Sequence, residues 1–267
     1  MEKKISEKNR NIIMIFVIAI LCIATIIFEF ISIQYTSDEF RNKMIGKSLQ
    51  QCCGIGATVL LMIKADIKLF KKPQNILYLI PCLIIAIDNF PFWAYFSKNL
   101  QIVRKEALDW VLFSGYCLSV GVFEECIFRG IIFSVLASRL SRDRKGFLLT
   151  YVLSSFIFGA AHLLNGFSAA TILQIGYTTL TGGLFAFAFI KTRNIFCCGA
   201  IHAIYNFCGL LLIELGNGFQ FDVGTTITMA VVSIVVGAFV LYKVYKCPNA
   251  EIKQLYADMG IKFKETE

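Results

Sequence analysis

Six polar side chains lie inside apolar runs of this sequence, at spacings that a helix would place on defined faces. They are Glu124, Glu125, Arg129, His162, His202 and Asn206. Glu125 and Arg129 share one helix face in the favourable acid-before-base order, and His202 and Asn206 have the same spacing. An ionisable group inside a bilayer costs at least about 2.5–3.5 kcal/mol, so each one is a candidate functional residue.

The chemistry open to this set is proton transfer next to stabilised negative charge. Glu124 and Glu125 cannot both ionise cheaply in a medium of low dielectric constant, and Arg129 can balance only one of them. The other carboxyl group is then available as a general base or acid. Imidazole and amide groups can donate hydrogen bonds to a developing oxyanion. Hydrogen bonding between helices could explain each residue alone, but it does not require two carboxyl groups beside an arginine.

The composition predicts that helices in a membrane position these residues. Of the 267 residues, 57% are hydrophobic and 16% are charged, whereas globular chains have about 45–50% apolar and about 25% charged residues. We therefore expect an all-α, polytopic integral membrane protein. The net charge of +8 could suggest a nucleic-acid partner, but the basic residues lie at the ends of apolar segments. They indicate membrane topology instead, so we expect contact with the lipid bilayer and none with nucleic acid.

Apolar runs of about bilayer length predict about eight transmembrane helices. Their expected ranges are 12–33, 48–63, 76–96, 107–138, 146–164, 169–190, 195–213 and 223–245. The fourth is too long for one straight span, so it should tilt, kink near Gly115 or Gly121, or continue past the membrane. Alternate loops and the two ends carry 19 of the 26 Lys and Arg residues when assigned to one side. This bias predicts that both termini are cytoplasmic.

These spans divide the chain into four predicted regions. Residues 1–105 form an N-terminal membrane region of three helices, 106–214 a catalytic core of four helices, 215–246 the last transmembrane helix and 247–267 a cytoplasmic tail. The tail has room for a short surface helix. Most of the ten Cys residues lie in apolar runs, and their adjacent pairs lack metal-ligand spacing. We interpret them as small buried hydrophobic residues.

The six residues fall in three motifs that resemble those of a known family. The motifs are E-E-x-x-x-R at Glu124 to Arg129, F-x-x-x-H at Phe158 to His162 and H-x-x-x-N at His202 to Asn206. They are similar to the motifs of the CPBP family, the type II CAAX prenyl endopeptidases and bacteriocin-processing membrane proteases, also called the Abi family. The resemblance covers about residues 107–213 and extends to a Gly182-Gly183 pair in the helix before the third motif.

The resemblance implies an intramembrane endopeptidase with a role for each motif residue. Glu124 would activate the attacking water together with His162, and His202 and Asn206 would hold the oxyanion of the tetrahedral intermediate. Arg129 would orient and charge-balance the carboxyl pair through Glu125.

Metal dependence is open at this stage, because members of the family have been described both as metalloproteases and as glutamic proteases. A catalytic zinc ion takes three protein ligands and a water, which Glu124, His162 and His202 could complete. The sequence has no H-E-x-x-H motif, however, and Arg129 would compete with a dication for the nearby carboxylates. We expect the glutamic mechanism, with no metal or other cofactor.

Two other functions fit parts of the sequence. A non-catalytic self-immunity or scaffold protein would bind a bacteriocin or its receptor, and a small permease would use the charges as a relay. The permease is less favoured, because the chain has no inverted repeat. We expect the substrate to be a peptide or a membrane-associated protein, such as a bacteriocin or signal precursor. The composition, rich in Lys, Ile, Phe and Asn, suits a multi-pass protein of a bacterial cytoplasmic membrane, where a prenylated CAAX substrate is not expected.

Overall fold

A computed structural model describes residues 7–30, 34–97, 101–140, 143–166, 169–218 and 223–261. Within these ranges the chain is helical, and its only β-type pairing is two isolated bridges. The eleven α-helices are α1 Glu7–Phe30, α2 Glu39–Lys64, α3 Leu79–Asp88, α4 Phe92–Phe96, α5 Ala107–Glu125, α6 Phe133–Arg139, α7 Arg144–Ala161, α8 Ala169–Thr192, α9 Ile195–Glu214, α10 Val223–Tyr245 and α11 Asn249–Asp258. The predicted all-α class is confirmed.

Three of the described helical segments are long and apolar enough to cross a membrane. They are Arg144–Leu164, Ile195–Glu214 and Thr226–Tyr245, and two shorter apolar helices cover Met14–Phe28 and Ile76–Asp88. The count of eight spans and the cytoplasmic location of both termini stay predictions. The long fourth run is helical from α5 through α6, and a π-helical segment, Cys126–Ile132, interrupts it. This irregularity follows Gly115 and Gly121 in the chain instead of coinciding with either of them.

Two elements differ from the ranges that hydropathy predicts. The helix α2 begins at Glu39, because Asp38 caps it by accepting a hydrogen bond from the backbone N–H of Arg41 at 3.1 Å. Its first turns are charged, so an apolar window misses them. The span predicted at 76–96 is broken: α3 ends at Asp88, and α4 begins just after Pro91, which cannot donate a backbone hydrogen bond.

The second half of α8 forms the centre of the bundle. Residues 181–195 are buried without exception, including the alternating rings of Phe185, Phe187 and Phe189. A helix that is buried on all sides must be covered by neighbours, and α7, α9, α3 and α10 pack against it. The two helices that carry the carboxyl pair and His202 meet at glycines: a Cβ on Gly121 of α5 would lie 2.7 Å from the carbonyl oxygen of Gly199 on α9. Such small residues allow two backbones to approach closely.

Among the described residues, two clusters of charged side chains lie outside the three motifs. The first ionic cluster joins the starts of α2 and α5, and its members are Asp38, Arg41, Arg104, Glu106 and Asp109. The second ionic cluster joins α11 to the segments that follow α2 and end α8, and its members are Lys71, Lys191, Arg193, Glu251 and Asp258. The basic segments at 64–72 and 191–193 thus meet the C-terminal tail at one place.

Asp258 is the centre of the second ionic cluster. Its two carboxylate oxygens accept from Lys71 Nζ and Arg193 Nη1, each at 2.6 Å, and Gln254 adds a third hydrogen bond at 3.1 Å. Burial by itself would raise the pKa of Asp258, but the hydrogen bonds from Lys71 and Gln254 and the charge of Arg193 outweigh it. The pKa therefore lies below its ordinary value. The buried face of α11, with Ile252, Leu255 and Tyr256, makes it a docked helix and not a surface helix.

We expect acid to loosen the contact between α11 and the bundle. A carboxyl group with a lowered folded-state pKa contributes stability above its unfolded pKa of about 3.9 and loses it as the pH falls through the folded value. The protection factors of the amides in 249–258 should therefore fall below about pH 4, and Asp258→Asn should lower them at pH 7, at a cost of about 1.5–3 kcal/mol. The exposed Lys253→Gln is the control on the same helix. Equal exchange in Asp258→Asn and wild type at pH 7 would contradict the assignment.

Candidate active site

Glu125 and Arg129 form a fully buried ion pair at the junction of α5 and the π-helical segment. Arg129 Nη1 donates to Glu125 Oε1 at 3.1 Å, and the side chains are 1% and 0% exposed, respectively. Arg129 Nη2 donates to the backbone carbonyl of Gly182 on α8. The guanidinium carbon also lies 4.9 Å from the ring centre of Phe158 and 5.7 Å from that of Phe185. Arg129 therefore connects α5, α7 and α8 around one charge.

His202 lies between the two carboxyl groups. Its Nδ1 is 2.9 Å from Glu125 Oε1, and its Nε2 is 3.7 Å from Glu124 Oε2. Glu125 Oε1 also accepts from Arg129 and is thus an acceptor, so Nδ1 of His202 carries a proton. Phe185 stacks on the imidazole with ring centres 4.4 Å apart and planes at 22°. The carboxylate and the ring together fix the orientation of His202 and direct its Nε2 toward Glu124.

Glu124 differs from Glu125 in its environment. Its side chain is 29% exposed, whereas that of Glu125 is fully buried. Glu125 has its Oε1 bound to two donors, while the only charged group close to Glu124 within the described residues is His202. Adjacent positions on α5 thus give one carboxylate that is enclosed and paired and one that is partly exposed.

His162 reaches the site through Phe158. The Nδ1 atom of His162 is 3.1 Å from the backbone carbonyl oxygen of Phe158. A carbonyl oxygen can only accept, so Nδ1 carries the proton, and Nε2 of the neutral ring is an acceptor. The Phe158 ring packs edge-on against both imidazoles, with centres 5.4 Å from His162 and 5.7 Å from His202. The two histidines therefore border one aromatic side chain without contacting each other directly.

Asn206 lies one helical turn beyond His202 on α9, and its side chain is partly buried. The side-chain amide of Asn206 makes no hydrogen bond to another described residue. The structure thus brings Glu124, Glu125, Arg129 and His202 into direct contact, links His162 to them by Phe158, and leaves the Asn206 amide on the turn next to His202.

The ligand set for a metal ion can be tested against these positions. Among the described residues, no three His, Cys, Asp or Glu side chains lie close enough together to hold a metal ion. Glu124 and His202 are neighbours, and the bonds made by Nδ1 of His162 to a backbone carbonyl and by Nδ1 of His202 to Glu125 leave Nε2 of each ring free, as in zinc-binding histidines. The absence of a metal therefore stays a prediction, and the steps below are assigned to side chains alone.

Two contacts at the site involve residues outside the six that the sequence motifs predict. One is the Gly182 carbonyl, which accepts from Arg129, and the other is the Phe185 ring, which stacks on His202. The Gly182-Gly183 pair in an apolar helix is a sequence signal for the first contact. Phe185 lacks such a signal, because it is one of 25 Phe residues spread along the chain.

Gly182→Ala should destabilise the packing of α7 against α8, although Gly182 is not one of the six polar residues. An added Cβ would lie 2.9 Å from Phe158 Cδ1 and 3.0 Å from the Ser155 carbonyl oxygen, so α7 and α8 must separate. We expect a loss of about 1–3 kcal/mol in the free energy of unfolding, typical of overpacking. Gly176→Ala on the same helix is the matched control, because its Cβ would have no neighbour within 4 Å. Equal unfolding transitions for the two variants would show that the approach at Gly182 is not required.

Comparison with known proteins gives one match. Residues 106–208 match the family described as type II CAAX prenyl endopeptidase Rce1-like. The matched range contains Glu124, Glu125, Arg129, His162, His202 and Asn206. Neither the curated proteins nor the solved structures contain a significant match to the chain.

Proposed function

Since residues 106–208 match the Rce1-like family of type II CAAX prenyl endopeptidases, we propose that this protein is an intramembrane endopeptidase. It hydrolyses a peptide bond in a membrane-associated protein or a peptide precursor. The observation that carries the proposal is the unequal environment of the carboxyl pair, in which Glu125 is buried and paired and Glu124 is partly exposed. Hydrolysis needs one carboxylate with access to water, and a non-catalytic scaffold does not.

Glu124 is the proposed general base. Water can reach its carboxylate, and general base catalysis requires a hydrogen bond between the base and the proton that it removes. His162 assists, because the bond from its Nδ1 to the Phe158 carbonyl leaves Nε2 as an acceptor. The hydroxide formed attacks the peptide carbonyl carbon, and the removed proton then passes to the departing amine.

His202 and Asn206 are the proposed donors to the oxyanion. With Nδ1 bound to Glu125, His202 can donate through Nε2 when the ring carries a second proton. The positive charges of this ring and of Arg129 then balance the negative charges of Glu124 and Glu125. The Asn206 amide, one turn away, supplies a neutral second donor, and two such donors stabilise charge that develops in the transition state.

The proposed mechanism is of the glutamic type and uses no metal. Each step is assigned to a side chain of this protein, and Arg129 keeps the charge of Glu125 in place. The proposed location is a bacterial cytoplasmic membrane, where a bacteriocin or signal precursor is the expected substrate class.

The proposal can be tested with the full-length chain in lipid vesicles. Two peptides of identical sequence that end in a CAAX box, one farnesylated and one not, are incubated with the protein, and the products are identified by mass spectrometry. We expect the wild type to cleave at least one peptide at a single bond, and Glu124→Gln combined with His162→Ala to cleave neither. Equal cleavage by the double variant would contradict the proposal. Loss of activity on chelation with recovery on adding zinc would contradict its glutamic mechanism.

If no peptide is cleaved, a phenotype such as bacteriocin immunity can distinguish a protease with another substrate from a non-catalytic binding protein. A protease should lose this phenotype in the same double variant, while a binding protein should retain it.

A further inference from the structure

The break between α3 and α4 lies against the helix that carries His202 and Asn206. The segment contains Asn89, and the side-chain Nδ2 of this residue donates to the backbone carbonyl oxygen of Tyr205 at 2.9 Å. Tyr205 directly precedes Asn206. Asn89 is anchored on its own side as well, because its backbone N–H donates to the Ile85 carbonyl at 3.1 Å. The amide therefore joins the end of α3 to the turn of α9 that presents Asn206.

Gly209 makes this contact sterically accessible. In an α-helix the carbonyl oxygen of residue 205 accepts from the backbone N–H of residue 209, so a second donor must approach beside residue 209. A Cβ on Gly209 would overlap Nδ2 of Asn89. The carbonyl oxygen has two lone pairs and can accept from both donors. In an apolar medium the Asn89 amide itself needs a hydrogen-bond partner, and the Tyr205 carbonyl supplies it.

From this geometry we propose that Asn89 is a positioning residue for Asn206, and the inference rests on the proposed function. Asn89 does not contact the reacting atoms. It fixes the height and rotation of the α9 turn on which the Asn206 amide must meet the oxyanion. Because the oxyanion is present only in the transition state, displacement of this turn should lower kcat and leave KM nearly unchanged.

The test compares Asn89→Asp in two backgrounds. Asp has nearly the same shape as Asn, so the substitution creates no cavity. Its carboxylate cannot donate the hydrogen bond to Tyr205. With the peptide cleaved by the wild type, we expect kcat to fall about 10-fold, as small displacements of catalytic groups do, and KM to change less than about twofold. In an Asn206→Ala background, Asn89→Asp should cause no further loss. Gly209→Ala should behave like Asn89→Asp, because it expels the same amide.

Trp93→Phe is the matched control. It removes a hydrogen bond made by the same broken segment, from Trp93 Nε1 to Thr228 Oγ1 on α10 at 3.0 Å, and should leave kcat unchanged. A purely structural role for Asn89 predicts an equal fold-loss in both backgrounds, and that result would overturn the inference.

Hydrogen exchange separates this inference from the proposed function. Amides 205–210 should exchange faster in Asn89→Asp than in wild type and Trp93→Phe. Unchanged exchange there would overturn the inference whatever the activity. If the wild type cleaves no peptide and the double variant of Glu124→Gln and His162→Ala keeps the immunity phenotype, the proposed function fails and the positioning role fails with it, while faster exchange would still locate the contact.

Discussion

Glu124→Gln should abolish peptide hydrolysis and leave the fold intact. A positioned general base contributes about 10²–10⁴-fold to a rate, and glutamine has nearly the same shape but cannot accept a proton at neutral pH. Glu124 is 29% exposed and has no close charged neighbour other than His202 among the described residues, so its replacement removes little stabilisation. We expect kcat to fall by about 10²–10⁴-fold, with KM and the thermal unfolding transition close to those of wild type.

Glu214→Gln provides the control for this loss. Glu214 ends α9 and pairs with Lys43 at 2.6 Å, so the same substitution removes a carboxylate from a helix of the site without reaching the chemistry. Its kcat should match wild type. If the Glu124→Gln variant keeps more than about a tenth of the wild-type kcat, Glu124 is not the general base.

Arg129→Met should destabilise the protein strongly. It would leave the charge of Glu125 buried and unbalanced and the Gly182 carbonyl without its donor. Breaking a buried pair by removing one partner costs about 3–5 kcal/mol. We expect a loss of this size in the free energy of unfolding, measured by denaturant titration in one detergent.

A second substitution separates charge from packing in that loss. Adding Glu125→Gln to Arg129→Met removes the unbalanced charge and should recover part of the stability. Arg139→Met, at the exposed end of the same long helix, should cost less than about 0.5 kcal/mol. A loss below about 1 kcal/mol for Arg129→Met would mean that the buried pair does not organise α5, α7 and α8.

Local spacing predicts part of the site correctly. The four-residue separation of Glu125 and Arg129 predicts a shared helix face, and the two side chains are paired in the structure. Position along the helix axis is less predictable. Counting about 1.5 Å per residue places Glu124 about 22 Å from the end of its run and His202 about 13 Å from the start of its own, which suggests different depths. The structure nevertheless places His202 within 3.7 Å of Glu124, because residue counts contain no information on how helices tilt and cross.

Breaks within apolar runs are the other feature that hydropathy does not predict. Averaged hydropathy predicts one span over 76–96, yet the helix is broken near Pro91. The polar Asn89 in this segment is hydrogen-bonded to α9. Similarly, the π-helical segment at Cys126–Ile132 has no glycine or proline signal at its start. Both irregularities lie next to the site residues, and such departures from regular helix are frequent at functional sites.

In the proposed mechanism, burial gives two adjacent carboxylates different tasks, and the unfolding free energies of Glu124→Gln and Glu125→Gln distinguish those tasks. Both substitutions are isosteric and both lie in the last turn of α5. The account predicts a change below about 0.5 kcal/mol for Glu124→Gln and a loss of about 3–5 kcal/mol for Glu125→Gln, which leaves Arg129 unbalanced. Equal losses for the two variants, or a larger loss for Glu124→Gln, would contradict the account.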